Sequence, residues 1–449
     1  MDKLRTVLMN EKNRIFDGFL RQSSDFDDAV AALRLGEFAQ SGAIRRKKSF
    51  SESSRQVLSI VNANIVFPDR IMRGSVTIEK GVIGRVSPLN EAVGHVVDAE
   101  GLYLSPGFID LHVHGGNGSD FMDATPADFS NITRFHASHG TTSMLATTLT
   151  SLDEELFAAL DCYNSFVKTP YPGSRLLGLH LEGPYFAAEQ CGAQDPKYLK
   201  TPDPSHYTEI LGRSAHIRRW SAAPELDGIR AFAKTCRERR IVLSMAHTSC
   251  TAAQAADAYQ NDGFSLITHF YSAMNGVTRK NCFRVGGLVE AGYLLDGLNV
   301  EIIADGCHLP PELLNLVIKV KGCEHVALVT DCSAAAGTTD GSRKIGSRKN
   351  GQPVVVKDGV AFLADFSAFA GSVATTDRLL ETILNQTRVS IPQAVGMLTK
   401  VPAGIMSCAD KGEIRPGADA DLALFSYRAD KIEVKKVFIA GEEFVFPSP

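Results

Sequence analysis

The sequence predicts an α/β protein: a parallel β/α barrel joined to a small β-domain assembled from both ends of the chain. Three observations lead there. Through the middle of the chain, apolar strand-like runs alternate with helical patterns, as in Ala252 to Tyr259 and Leu313 to Val320, which argues for βαβ units and a parallel sheet. Six of those runs end on a chemically capable side chain: His114, Glu182, His247, His269, Asp305 and Asp331. Catalytic groups of a barrel stand at the C-terminal ends of its strands. An open sheet also binds ligands beyond its strand ends, but a barrel better brings six separate ends to one point. Finally, short strand-like segments crowd the two flanks of this alternating middle.

Taken in order, residues 1–54 come first. Leu4, Leu8, Phe16, Phe19 and Leu20 recur at helical spacing, and Arg45-Arg46-Lys47-Lys48 with Ser49 to Ser54 follow. We read a helical extension and a flexible linker. The short basic run lacks the aromatic platform of a nucleic-acid surface. Residues 55–104 hold the strands Val57–Val61, Ser75–Ile78 and Val82–Val86 and form the first part of the β-domain. Residues 105–400 form the barrel, with a strand-rich insertion near 340–363 around Val354-Val355-Val356. Residues 401–449 return with Asp421–Phe425 and Lys436–Ile439 to complete the β-domain.

Bulk properties narrow the function classes. The chain has 449 residues and a formal net charge of -4, so no polyelectrolyte partner such as nucleic acid is expected. No run of about 18 apolar residues suggests a membrane span. The N-terminus mixes charges into its apolar pattern, unlike a secretory leader. Nine scattered cysteines, none in a Cys-x-x-Cys pair, read as reduced thiols in the cytoplasm.

The chemistry concentrates at the strand ends. His112 and His114 lie two apart in Gly107-Phe108-Ile109-Asp110-Leu111-His112-Val113-His114. In an extended strand both imidazoles point the same way and can share one cation. Imidazole and carboxylate suit zinc, iron, manganese or cobalt. Glu182 precedes Gly183-Pro184, His247 and His269 end apolar runs, His308 follows Asp305, and Asp331 closes the last run. One histidine after a strand is commonly a hydrogen-bonded core residue, and one aspartate commonly caps a helix. Five potential ligands and an aspartate at successive strand ends argue instead for a metal-dependent site, because a buried polar group needs a partner. His180 shares a strand face with Glu182 and reads as a support for the ligands.

These residues carry a resemblance. The chain resembles the amidohydrolase superfamily and, within it, the N-acetylglucosamine-6-phosphate deacetylases. The matching segments are Pro106 to Gly116, His180-Leu181-Glu182-Gly183-Pro184, Ala222-Ala223-Pro224-Glu225, Ala246-His247-Thr248, Thr268-His269 with Ala273-Met274, Ala304-Asp305-Gly306 with His308, Thr330-Asp331 and Ala370-Gly371-Ser372. The resemblance as a whole runs from about residue 57 to 445.

The resemblance implies a metal-dependent (β/α)8 TIM-like barrel with a flanking β-sandwich, and removal of acetate from an N-acetylated amino-sugar phosphate. It implies that Glu182, His247 and His269 hold the main divalent metal, zinc first among the candidates. His112 and His114 would help hold a second. Asp331 would act as general base and then general acid on a water whose pKa the metal lowers. His308 would contact the sugar or its phosphate, and Arg284 would bind the phosphate, from a neighbouring subunit in some members, so a homodimer is expected. Ala193, Ala273, Phe369, Ala370 and Gly371 fall at the substrate. Ser272 stands where the family usually has asparagine, and Gln194 where some members carry histidine. Those departures keep open a related amide: N-acetylgalactosamine 6-phosphate, an N-acylamino acid or a cyclic amide. From another class, a non-catalytic sugar-phosphate binding protein is the rival.

Overall fold

The computed structural model describes residues 57–338 and 342–446. The helical extension and linker expected over residues 1–54 lie outside the described residues. Eight parallel strands form the barrel: Phe108–Val113, Thr141–Thr148, Arg175–Glu182, Ile217–Ala222, Val242–Met245, Phe264–Ile267, Asn299–Ile302 and Val326–Leu328. Each pairs with the next in chain order. A parallel bridge between Val113 and Cys332 joins the last strand's extension to the first. There the Asp331 amide donates to the His112 carbonyl at 2.9 Å.

Two barrel strands, Thr141–Thr148 and Ile217–Ala222, have no metal-binding side chain at their ends, so the six marked ends undercount the barrel. The strands leading to His247, His269, Asp305 and Asp331 stop earlier, at Met245, Ile267, Ile302 and Leu328. His247, His269 and Asp331 then adopt left-handed backbone, with φ of 46°, 31° and 48°. Non-glycine residues rarely do so, and such strain clusters at functional sites.

Helices cover the barrel because their apolar faces pack on the strands. Helix Pro126–Ser138 buries Phe129, Ile132 and His136, and Thr125 caps it by accepting the Asp128 amide. Phe232 and Cys236 of Ile229–Glu238 enter the same core as Trp220 and Tyr185. The helix expected over Ala252 to Tyr259 runs Ala252–Asp257, then widens into a π turn at Ala258–Asp262. The helix expected over Leu313 to Val320 spans Pro311–Lys321.

The flanking strands come from both chain ends. Leu58–Val66, Ile71–Glu79, Val82–Ser87, His95–Asp98 and Tyr103–Pro106 join Leu422–Arg428, Lys431–Ile439 and Glu442–Glu443 in one mixed sheet. This is the small β-domain expected from both chain ends, its strands hydrogen-bonded in one sheet whose core gathers Ile60, Val76, Ile78, Leu422, Leu424 and Phe438. Its turns meet so closely that a methyl on Gly81 would fall 2.7 Å from the Ala440 carbonyl oxygen.

Between the last barrel strand and helix Thr376–Gln386 lies a three-stranded antiparallel sheet, Ser342–Ile345, Gln352–Lys357 and Val360–Leu363. It packs on the barrel through Ile345, Val354, Ala361 and Leu363 against Met122 and Leu149. Polar latches fasten it: Arg348 pairs with Asp128 at 2.5 Å, and the Gly346 amide donates to Asp120 at 3.0 Å.

Candidate metal centre

Six side chains from five regions of the barrel close on one buried point. His112 ends the first strand and His114 stands just beyond it, Glu182 ends the third, and His247, His269 and Asp331 follow the fifth, sixth and eighth. Glu182 is at the centre. Its Oε1 lies 3.1 Å from His269 Nε2, 3.4 Å from His247 Nε2 and 3.4 Å from His112 Nε2. Its Oε2 lies 3.2 Å from His114 Nε2. Asp331 Oδ1 faces His114 Nε2 at 3.2 Å and His112 Nε2 at 3.4 Å. Two ligand groups result, His112-His114-Glu182 and Glu182-His247-His269, sharing the one carboxylate.

The donor set fits a divalent cation. Imidazole nitrogens only 3.1 to 3.2 Å apart, as in the pairs His112–His114 and His247–His269, cannot all be protonated there. A shared cation satisfies all of their lone pairs at once. His247 is already oriented for this: its Nδ1–H donates to the Gln190 carbonyl at 2.8 Å, which leaves Nε2 bare toward Glu182.

The charges agree. Burial would raise the Glu182 pKa, but the His112 charge and bonds from His112, His114 and His247 pull it well below the ordinary range. Burial likewise works against an ionised Asp331, and His112 and His114 outweigh it, so its pKa is lowered. Burial would lower His114, yet hydrogen bonds and charge from Asp331 and Glu182 carry it well above its usual value. His180 is not a ligand. Its Nδ1 meets Thr147 Oγ1 at 3.2 Å and its Nε2 meets Ser221 Oγ at 2.7 Å. Its ring stands edge-on to His112, with centroids 4.7 Å apart. Burial and the nearby Arg219 charge push its pKa well down, so it is a neutral support.

Around this centre the expected substrate residues take several positions. His308 Nδ1 bonds Asp305 Oδ2 at 2.9 Å, and its ring lies tilted against Phe369, with centroids 4.7 Å apart. Gly371, with φ of 63°, presses on Asp331; a methyl there would meet the Asp331 carbonyl oxygen at 2.6 Å. The Ser272 amide donates to the His269 carbonyl, and the Ala273 carbonyl accepts from the Thr248 amide. The amide of Ala370 bonds the Ala361 carbonyl of the inserted sheet. Arg284 stands apart, exposed on the hairpin Thr278–Lys280 and Phe283–Val285, in register with Arg279. Gln194 is engaged by protein at both ends of its amide, and Ala193 receives a 2.6 Å bond from Gln352.

Sequence reasoning missed the layer beneath. Arg219 is fully buried and pairs with Glu301 across the barrel interior. It also donates to Thr268 Oγ1 at 2.9 Å and to the Leu111 carbonyl at 2.9 Å, just before His112. The available signal was charge inside two strands, Arg218 and Arg219 in Ile217–Ala222 and Glu301 in Asn299–Ile302.

The chain is similar to known proteins over most of its length. Residues 103–444 match the profile of the amidohydrolase family. The chain is 30% identical over 370 residues to an N-acetylglucosamine-6-phosphate deacetylase of Lysinibacillus sphaericus, covering 82% of this chain and 92% of the relative. It is 29% identical over 367 residues to an N-acetylgalactosamine-6-phosphate deacetylase of Escherichia coli, covering 81% and 93%. Among solved structures, it is similar to a mutant N-acetyl-D-glucosamine-6-phosphate deacetylase from Mycobacterium smegmatis in complex with N-acetyl-D-glucosamine-6-phosphate. That likeness has a TM-score of 0.78 and 26% identity over 87% of this chain and all of the other.

Proposed function

Because the chain belongs to the amidohydrolase family, we propose that it is a metal-dependent deacetylase releasing acetate from N-acetylglucosamine 6-phosphate. The single observation that carries the reading is the shared Glu182 carboxylate, ringed by four imidazoles with Asp331 beside them. Glu182, His247 and His269 would hold the main metal, and His112 and His114 a second; zinc suits this donor set best. Bound there, a divalent metal lowers the pKa of a water and polarises an amide carbonyl.

The chain's own residues supply the rest. Asp331 is held ionised, so it can take the water's proton and return it to the departing amine nitrogen. Without that return the amine would leave as an anion, a prohibitive path. His308, with Nδ1–H committed to Asp305, presents Nε2 to the sugar or its phosphate. The Arg284 guanidinium offers paired donors to a phosphate dianion. Its place on an exposed hairpin suits service to a neighbouring subunit, and so a homodimer. Phe369, Ala370 and Gly371 would wall one side of the substrate beside His308 and Asp331, and Ala193, Ser272 and Ala273 the other.

No helix among the described residues is long and apolar enough to cross a membrane. All nine cysteines are free, which supports a reducing compartment, the cytoplasm. Acetate release from N-acetylglucosamine 6-phosphate, with metal content measured on the same sample, tests the proposal. Turnover should depend on the 6-phosphate; equal turnover of the unphosphorylated sugar refutes that part. A second reading, the galactosamine epimer, is favoured by Ser272 in the asparagine position and by the Escherichia coli relative. Comparing the two epimers as substrates decides between them.

A further inference from the structure

Gln194 is nearly fully buried, and its side chain bridges two fixed groups. Its Oε1 accepts the Thr150 amide at 3.0 Å, and its Nε2 donates to Glu182 Oε2 at 2.8 Å. The Thr150 N–H can only donate, so it dictates which end of the amide is oxygen. The flipped amide would set oxygen against carboxylate and N–H against N–H. The end facing Glu182 is therefore the donor.

That donor meets the oxygen turned toward His114, while the other oxygen serves His247 and His269. The terminal torsion of a glutamate is broad, so packing alone does not fix the carboxylate plane. The loop holding Gln194 is itself anchored. The Gln194 amide donates to the Cys191 carbonyl at 2.9 Å, and the Ala193 carbonyl accepts from Gln352 of the inserted sheet.

We infer that Gln194 is a positioning residue for Glu182: it fixes the carboxylate plane so that Oε2 is held toward His114 and Oε1 toward His112, His247 and His269, and it does not contact the substrate. This revises the substrate-binding role expected from its sequence position. The inference rests on the metal-dependent deacetylase reading above. It assigns a distinct role to the inserted sheet, which holds the Gln194 loop in register with the metal ligands.

The test uses the full-length enzyme, stripped of metal and titrated with Co2+, whose visible absorption reports ligand geometry. Gln194→Leu keeps the side-chain bulk and removes both bonds. It should weaken Co2+ binding about 10- to 100-fold, as loss of an orienting partner typically does. The Co2+ spectrum should change and kcat fall, while KM for the phosphorylated amino sugar stays within about twofold. Gln194→His retains a ring N–H donor and should restore most of the Co2+ affinity. Should Gln194→Leu fail to fold, Gln194→Asn serves: its amide is one methylene too short to span Thr150 and Glu182. An unchanged Co2+ affinity and spectrum with KM raised tenfold or more would make Gln194 a substrate contact and overturn the inference. If the wild-type enzyme releases no acetate from any amino-sugar phosphate, the deacetylase reading fails by itself, and the Co2+ titration still decides the role of Gln194.

Discussion

Asp110 Oδ2 accepts the Thr330 hydroxyl at 2.6 Å, and this bond ties the first barrel strand to the last. Asp110 Oδ1 takes the His112 and Thr330 amides at 3.2 and 3.3 Å. One buried carboxylate thus sets the spacing between the strand of His112 and His114 and the segment that carries Asp331. Asp110→Ala would strand a hydroxyl and two amides in the core. Losses of about 1–3 kcal/mol for each unsatisfied group put the total at several kcal/mol. Asp110→Asn, which can donate to the Thr330 oxygen, should lose much less. Urea denaturation of both variants measures this; equal losses would show that the carboxylate's bonds do not hold the strands.

Asp331 is assigned the proton transfers, so Asp331→Asn should lower acetate release by about a hundred- to ten-thousand-fold, the usual range for general acid–base catalysis. KM should change little, since the side chain faces His112 and His114. Steady-state kinetics at matched metal content checks this. Activity within a few-fold of wild type would remove Asp331 from the mechanism.

Much of this site was legible in the sequence, and the reason is geometric. His112, His114, Glu182, His247, His269 and Asp331 each follow an apolar run; strand periodicity fixes which way His112 and Glu182 face, while His114, His247, His269 and Asp331 stand just beyond their strands and only their place at a strand end was legible. Strand ends of a barrel necessarily converge, so their proximity followed from the fold class. The supporting layer was hidden for the opposite reason. Arg219 and Glu301 interrupt their strands with charge, and a charge in a run reads as an exposed face until its partner across the barrel is known. Gln194 lies in a loop without periodicity, so nothing local announces its bond to Glu182. The flanking sheet joins residues far apart in the chain, as where the turns at Gly81 and Ala440 meet, and no window of sequence contains both.

The Arg219–Glu301 pair is fully buried. Arg219→Met leaves Glu301 charged without its partner and should cost about 3–5 kcal/mol. The double variant Arg219→Met/Glu301→Met should recover a large part of that loss, because no orphaned charge remains. Unfolding free energies of Arg219→Met, Glu301→Met and the double variant give the coupling. Additive losses would show that the two side chains act independently.

Metal removal should destabilise the fold. A cation held at a hundred times its dissociation constant adds about 2.7 kcal/mol to the native state. Chelation should therefore lower the melting temperature, and added zinc should restore it together with activity. His247→Ala should show a much smaller response to chelator. A wild-type melting temperature indifferent to chelator and zinc would separate these side chains from metal binding.

His136, on helix Pro126–Ser138, bonds the Gly115 carbonyl through Nε2 at 2.9 Å. Burial lowers its pKa from 6.5 to about 4. Below pH 6.5 the unfolded imidazole takes a proton that the folded one refuses until about pH 4. The unfolded state then binds more protons, so stability present above pH 6.5 is lost as pH falls toward 4. The full contribution is on the order of 3 kcal/mol. His136→Gln keeps a donor for the Gly115 carbonyl and does not titrate. Its unfolding free energy should fall less steeply across this window, by up to about 1.4 kcal/mol per pH unit. Urea unfolding at pH 7, 6, 5 and 4.5 measures both slopes, and parallel curves would show that His136 is already protonated in the folded protein.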